Sequence, residues 1–175
     1  MLFNKEIIRN NNMEDPYMLV REHKWTFDTF LEMAKAASTE ASDDKRVYGL
    51  LTGYADALTF IGSTGATICK KDENDYPYLS FGEERTQTVA RKVLEAFASS
   101  GAWAIYAQEC GDPIWETSFA VFHEGRALFR PSGFSATTKL RAYDVDFGII
   151  PMPLWDEEQE NYYSYCGTGE VASLT

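Results

Sequence analysis

The sequence predicts an α/β fold, and two observations support this prediction. Short apolar segments with the composition of strands alternate with longer segments whose apolar residues recur at i, i+3, i+4 and i+7, which is typical of a layered α/β structure. The chain has 175 residues, of which 45% are hydrophobic and 25% charged. This length and composition suit one soluble domain with a full core. We therefore expect residues 1–175 to form a single α/β unit.

The N-terminal part of the sequence contains one clear amphipathic helix. Residues 2–9 predict a short helix or strand, which a polar run of three asparagines follows. Thr26 is a good N-cap residue, and Trp25 and Phe30 occupy the positions of a hydrophobic staple. The helix that begins there has its apolar side chains at helical spacing: Phe27, Phe30, Leu31 and Ala34. This pattern predicts a helix with one face in the core.

The middle of the sequence predicts a strand, two helices and a hairpin. Arg46 to Leu51 form the strand, and Tyr54 to Ile61 form the first helix. Two apolar stretches around an acidic turn at residues 72–75 predict the hairpin; this turn lacks the spacing and the central glycine of a calcium-binding EF-hand loop. A long helix follows from residue 83, with Gly101 as its stop. Its apolar stripe consists of Val89, Ala90, Val93, Leu94 and Phe97.

The last part of the sequence predicts two helices and three strands. Asp112 is expected to cap a helix that Pro113 opens and Gly125 ends. Residues 126–130 predict a strand, and Ser135 to Tyr143 a helix. A strand over residues 146–154 is broken by two prolines, and residues 161–167 predict a final strand. Because the sequence stops shortly after that strand, we expect it to be part of a longer protein.

Composition argues against several classes of function. The net charge of −11 opposes binding to nucleic acid and to anionic membranes. Three cysteines at wide spacing, Cys69, Cys110 and Cys166, match neither a disulfide framework nor a zinc motif, and all three are expected to be unpaired. No apolar run reaches the roughly 20 residues of a membrane helix. Residues 1–12 lack the apolar core of a signal peptide, which on its own would indicate a cytoplasmic protein.

Sequence motifs do not indicate an enzyme. The nucleophile elbow, dinucleotide-binding, Walker and zinc-protease motifs are all missing. His23 and His123 are the two histidines, and pairing either with a cysteine as a nucleophile requires an assumed fold. We expect no catalytic residue, no metal site and no cofactor.

The corner at Ser132, Gly133 and Phe134 is the most informative local feature. It lies between the strand ending at Arg130 and a predicted helix. In an open α/β sheet, the crevice at the carboxyl ends of the strands is where ligands bind. The helix should also leave its first amide groups unpaired there. A routine strand-to-helix turn with a core phenylalanine remains an alternative explanation of the same residues.

Five segments in order resemble the extracellular solute-binding proteins of bacterial ABC transporters, particularly the sugar and oligosaccharide group. They are WTFDTFLEMAKAAS, YGLL, FHEGRALFRPSGFS, DFGIIPMPL and YSYCGTGEVAS, and they span residues 25–173. Together they resemble one lobe, the second, of that two-lobed family. The resemblance implies a type II periplasmic-binding-protein fold with helices packed on a mixed sheet.

The resemblance also implies a ligand site. The family's G-x-W corner, whose tryptophan stacks on a sugar in maltose-type members, falls on Ser132, Gly133 and Phe134, with Ser for Gly and Phe for Trp. Tyr54 matches a second aromatic position in the cleft. Tyr165, Cys166 and Gly167 match a segment near the hinge.

The resemblance implies partners and a location as well. The partners are a sugar or oligosaccharide, a first lobe outside this sequence and a membrane permease. The full-length protein would be extracellular and membrane-anchored, or periplasmic. A free-standing α/β interaction domain without a small-molecule ligand is the alternative.

Overall fold

A five-stranded mixed sheet forms the centre of the protein. In the computed structural model, which describes residues 1–42 and 45–164, the strands of this sheet lie side by side in the order β5 (Ala104–Tyr106), β2 (Tyr48–Thr52), β6 (Ala127–Arg130), β1 (Leu2–Asn4) and β7 (Phe147–Ile149). Strand β2 pairs in parallel with β5 and β6, whereas β1 pairs antiparallel with β6 and β7. A separate exposed hairpin consists of β3 (Cys69–Lys71) and β4 (Pro77–Leu79).

Seven α-helices occur in the described residues and pack around this sheet. They are α1 (Lys5–Asn10), α2 (Pro16–Arg21), α3 (Phe27–Ala37), α4 (Asp56–Ser63), α5 (Glu84–Ala98), α6 (Ile114–His123) and α7 (Ser135–Leu140). Neighbouring residues of a strand point to opposite faces of a sheet, and Leu50 and Leu51 accordingly belong to two different hydrophobic clusters. The first cluster includes side chains of α3, α4 and α5, and the second those of α6 and α7. The predicted α/β fold, with helices on a mixed sheet, is confirmed.

Helix α3 begins as its sequence predicts. The Thr26 hydroxyl accepts a hydrogen bond from the Thr29 amide at 3.2 Å. The rings of Trp25 and Phe30 are both fully buried, 6.2 Å apart and perpendicular, as in a hydrophobic staple. Both rings also contact Phe129 of β6. The cap and the staple therefore fix α3 directly against the central sheet.

Several predicted boundaries are wrong. The backbone of Pro113, not Asp112, forms the N-cap of α6, and no side chain bonds to its first amides. Helix α5 ends at Ala98, before Gly101, because a short 3-10 turn replaces its last residues. Residues 161–164 form no strand, and residues 165–167 lie outside the described part of the chain. Strand β5 was not predicted, because three residues carry too short a pattern.

Candidate functional site

Three loops meet at one edge of the sheet. Strands β2, β5 and β6 run parallel, so their carboxyl ends lie on the same side. The loops that leave these ends contain Gly53 and Tyr54 after β2, a 3-10 turn at Ala107–Glu109 after β5, and the corner at residues 131–134 after β6. The structure therefore brings the loops of the predicted site residues Tyr54, Ser132, Gly133 and Phe134 to one edge.

The corner after β6 is open to solvent. Ser132, Gly133 and Phe134 are all exposed, and the Phe134 ring is 82% exposed. A methyl group on Gly133 would come no closer than 3.9 Å to another atom, the Ser135 hydroxyl oxygen. The backbone at Gly133 is therefore within reach of a molecule from outside.

The expected unpaired amides at the start of α7 are only partly present. The amides of Ala136 and Thr137 donate to the carbonyl oxygens of Gly133 and Phe134, at 3.1 and 3.0 Å. Two of the amides that the sequence predicted to be unpaired therefore donate hydrogen bonds within tight turns. Among the described residues, the amides of Gly133, Phe134 and Ser135 have no acceptor. Unpaired donors are thus found on the corner itself and at the first helical residue.

The exposed aromatic ring of Tyr54 is held in place by contacts with Tyr106 and Glu109. Its side chain is 58% exposed, and its ring centroid lies 4.8 Å from that of Tyr106 in β5. The phenol donates a hydrogen bond to the Glu109 carboxylate at 3.3 Å. Desolvation of the phenol, followed by the negative charge of Glu109, raises the pKa of Tyr54. Tyr54 is therefore a neutral donor at physiological pH.

Two cavities have the corner as part of their walls. The first, of about 450 Å³, is lined by Phe134 and by the ends of β1 and β7. The second, of about 470 Å³, lies between the loops after β2, β5 and β6, and its walls include Trp115 and Arg130. Ser132 and Gly133 line both cavities. Tyr54 lines neither, although its neighbour Gly53 lines the second.

Asp56 lines both cavities and was not predicted as a site residue. Its Oδ2 atom accepts hydrogen bonds from the Thr52 hydroxyl at 3.0 Å and from the Gly53 amide at 2.8 Å. Its Oδ1 atom has no donor among the described residues. These bonds hold the half-buried carboxylate at the start of α4 with one oxygen available. Its position after a strand was the signal in the sequence that could have identified it.

Arg130 and Trp115 were also missed by the sequence analysis. Arg130, the last residue of β6, is 5% exposed, and Trp115 in α6 is 65% exposed. An arginine at a strand end ordinarily lies in solvent, so its burial here depends on packing that the sequence does not show. Trp115 lies on α6, where Phe119 and Phe122 are buried, so no pattern in the sequence indicated that Trp115 is exposed.

The remaining predicted residues contribute no geometry to this edge. Tyr165, Cys166 and Gly167 lie outside the described residues. Cys69 and Cys110 form no disulfide. Within residues 1–42 and 45–164, no group of three His, Cys, Asp or Glu side chains is placed to hold a metal ion. No helix in that part of the chain is long and apolar enough to cross a membrane.

Comparisons with known proteins identify the fold. No protein-family model matches this sequence, and no curated protein is similar to it in sequence. Among solved structures, the Thermus thermophilus maltotriose-binding protein bound with maltotriose superposes with a TM-score of 0.60 at 20% identity, over 93% of this chain and 38% of that one. The maltose/maltodextrin-binding domain from Bdellovibrio bacteriovorus, bound to maltotriose, gives 0.61 at 19% identity over 92% and 38%. A Listeria monocytogenes ABC substrate-binding protein in complex with cycloalternan gives 0.60 at 14% identity over 83% and 34%.

This similarity extends over most of the chain but over little of its neighbours. The chain spans 34 to 38% of the length of these three proteins. It has the fold of a single lobe of such solute-binding proteins, as the resemblance in its sequence predicts. These three neighbours are an ABC substrate-binding protein, a maltotriose-binding protein and a maltose/maltodextrin-binding domain.

Proposed function

We propose that this chain is one lobe of a protein that binds a carbohydrate for uptake by an ABC transporter. The ligand would lie in a cleft between the edge described above and a first lobe outside this sequence. One observation carries the proposal: the exposed rings of Phe134 and Tyr54 lie on adjoining loops at the carboxyl edge of the sheet, beside a corner with unpaired amides. The fold that the chain shares with solved oligosaccharide-binding proteins supports the proposal.

The chemistry of the edge suits a sugar. A pyranose has a C–H-rich face, which packs on aromatic rings, and a rim of hydroxyl groups that need hydrogen-bond partners. Phe134 and Tyr54 offer the rings. The Oδ1 atom of Asp56 can accept from a hydroxyl, and the amides of Gly133 and Ser135 can donate to one. Ser132 and the segment Tyr165, Cys166 and Gly167 complete the proposed ligand-binding set.

Other features of the complete protein follow from the same proposal. The first lobe would close over the ligand by a hinge motion, and the contacts made only in the closed state would provide the free energy of closure. A membrane permease would then accept the ligand. The protein would work outside the cell, membrane-anchored or in a periplasm, and it would need no cofactor and perform no catalysis.

A titration followed by NMR tests the proposal on this chain. Adding maltotriose to the ¹⁵N-labelled protein should shift the amide signals of Gly133, Phe134 and Ser135 and leave those of the β3–β4 hairpin unchanged. The hairpin is a suitable internal control, since it also exposes aromatic rings, such as Tyr76 at 68%. Equal shifts at both places would indicate nonspecific contact. If no sugar shifts the corner, the alternative of an interaction domain without a small-molecule ligand is favoured.

A further inference from the structure

A buried arginine lines the second cavity at the proposed site. Arg130 is 5% exposed, yet it forms part of the wall of the cavity of about 470 Å³ together with Ser132, Gly133 and Asp56. Charged side chains this buried are normally paired with an opposite charge. In the described part of the chain, no carboxylate lies within ion-pair distance of the guanidinium, since Arg130 occurs in none of its salt bridges.

The partners of Arg130 are all neutral. One terminal nitrogen donates to the Ser118 carbonyl oxygen at 2.7 Å, and the other to the Ser118 hydroxyl at 3.3 Å. The Phe119 ring lies 4.3 Å from the guanidinium carbon. A guanidinium has five N–H donors in a planar fork that suits the two oxygens of a carboxylate or phosphate. Ser118 and Phe119 fix the orientation of the guanidinium, and its other N–H groups have no acceptor among the described residues.

The charges around Arg130 do not neutralise it. Burial lowers the pKa of Arg130 to about 10, against the smaller opposing effects of Cys110 and Asp56. The side chain therefore stays cationic at neutral pH. Burial also raises the pKa of the Cys110 thiol, so this group is uncharged there. Asp56 acts on the guanidinium only at longer range, because no ion pair joins the two side chains.

We propose that the second cavity binds the anionic group of an acidic carbohydrate, with Arg130 pairing to its carboxylate or phosphate. This inference rests on the proposed function and specifies its substrate class. The cavity also holds the Asp56 carboxylate, which repels a simple anion but accepts hydrogen bonds from hydroxyl groups. A ligand with hydroxyl groups and one acidic group satisfies both side chains at once.

Parallel titrations of the ¹⁵N-labelled chain test this inference. The probes are D-glucose, D-glucuronate and glucose 6-phosphate, with acetate and inorganic phosphate as simple anions. We expect one of the two acidic sugars to bind at least about tenfold more tightly than glucose and to shift the side-chain Nε–H signal of Arg130. Which acidic sugar binds better identifies the group as carboxylate or phosphate. A shift of that signal by simple anions at the same concentrations, without preference for the sugars, would contradict the carbohydrate part of the inference.

Variants separate ligand recognition from a structural role. Arg130→Met should remove the preference for the acidic sugar, and Arg130→Lys should keep part of it, because lysine retains the charge without the planar fork. Arg91→Met is the matched control, since Arg91 is exposed on α5. An Arg130→Met protein that is folded and still prefers the acidic sugar overturns the inference. If this variant does not fold, the titration of the unchanged protein tests the inference instead: the inference requires that the acidic sugar shifts the Nε–H signal of Arg130.

The inference and the proposed function can fail separately. Equal affinity for glucose and both acidic sugars, with no shift at Arg130, overturns the role of Arg130 and leaves carbohydrate binding in place. Shifts at Arg130 with acetate or phosphate, and none with any sugar, overturn the proposed function instead. If no probe shifts any signal at this edge, both are wrong.

Discussion

The Tyr54 hydroxyl donates a hydrogen bond to the Glu109 carboxylate across 3.3 Å, and this bond joins the loop after β2 to the loop after β5. The ring of Tyr54 lies on that of Tyr106 at the same time. An exposed tyrosine would otherwise sample several side-chain orientations, each of which has to be given up on binding. The two contacts restrain the ring before any ligand arrives.

This restraint predicts a measurable change in ionisation. Replacing Glu109 with glutamine should lower the pKa of Tyr54, because the anion that disfavours the phenolate is removed. Desolvation, the larger cause, remains, so the pKa should stay above its ordinary value. The phenol pKa is raised in the folded protein, so its contribution to stability is present below the ordinary pKa and lost as the pH rises through the folded value.

A titration of the ¹³C signals of the tyrosine rings measures this effect. Glu116→Gln is the control, since Glu116 is an exposed carboxylate on α6 with no bond to Tyr54. An unchanged Tyr54 pKa in Glu109→Gln would show that the hydrogen bond does not form in solution.

Much of the fold could be predicted because the elements that local sequence patterns indicate are also the elements that pack together in the structure. The Thr26 cap and the Trp25–Phe30 staple were correct because both depend on residues a few positions apart. The corner after β6 and the resemblance to sugar-binding proteins together indicated Phe134 as a site residue, and that assignment stays a prediction. Arg130 and Asp56 were missed because their importance comes from burial and from contacts with other elements. Spacing along the chain carries no information on burial or on such contacts, and the position of Asp56 after a strand was the one signal in the sequence for this pair of residues.

The exposed ring of Phe134 should matter for binding and not for stability. Phe134→Ala in the complete two-lobed protein should weaken sugar binding about tenfold or more if the ring stacks on the ligand. The free energy of unfolding should hardly change, because the ring is 82% exposed and contacts no other ring in the described residues. Calorimetry and denaturant unfolding measure the two quantities. Phe81→Ala, at a phenylalanine that is 44% exposed outside this edge, is the control; equal losses in both variants would refute the assignment.

Gly133 allows a steric test that leaves the fold intact. A methyl group there meets no atom closer than 3.9 Å, so Gly133→Ala should fold with normal stability. If the ligand approaches the corner backbone, the added methyl group should weaken binding several-fold by blocking it. The matched control is Gly82→Ala, where an added methyl group also has open space. Unchanged affinity in Gly133→Ala would place the ligand away from the corner.

Replacing Gly49 with alanine should have the opposite outcome, a loss of stability. A methyl group at this position of β2 would overlap the backbone of Ala34 in α3, which cannot retreat because Ala34 is fully buried. Gly49→Ala should therefore lower the free energy of unfolding by about 3 kcal/mol, at the upper end of the overpacking range. Gly101→Ala, where nothing lies within 4 Å, should leave it nearly unchanged. Chemical denaturation of both variants tests this, and equal midpoints would mean that β2 and α3 are less tightly packed than described.

The chain alone should bind a sugar more weakly than the complete protein, because it contains only one side of the proposed ligand cleft. A protein that encloses its ligand between two lobes divides the contacts between them. Halving an interaction free energy of about −8 kcal/mol, which is a micromolar affinity, leaves about −4 kcal/mol, which is millimolar. Stacking on Phe134 and Tyr54 adds on the order of 1 kcal/mol each, too little to replace the missing face. We expect this chain to bind its sugar at millimolar strength or weaker and the complete two-lobed protein far more tightly, as calorimetry on both will measure. Micromolar binding by these 175 residues alone, or turnover of any sugar, would contradict the half-site assignment.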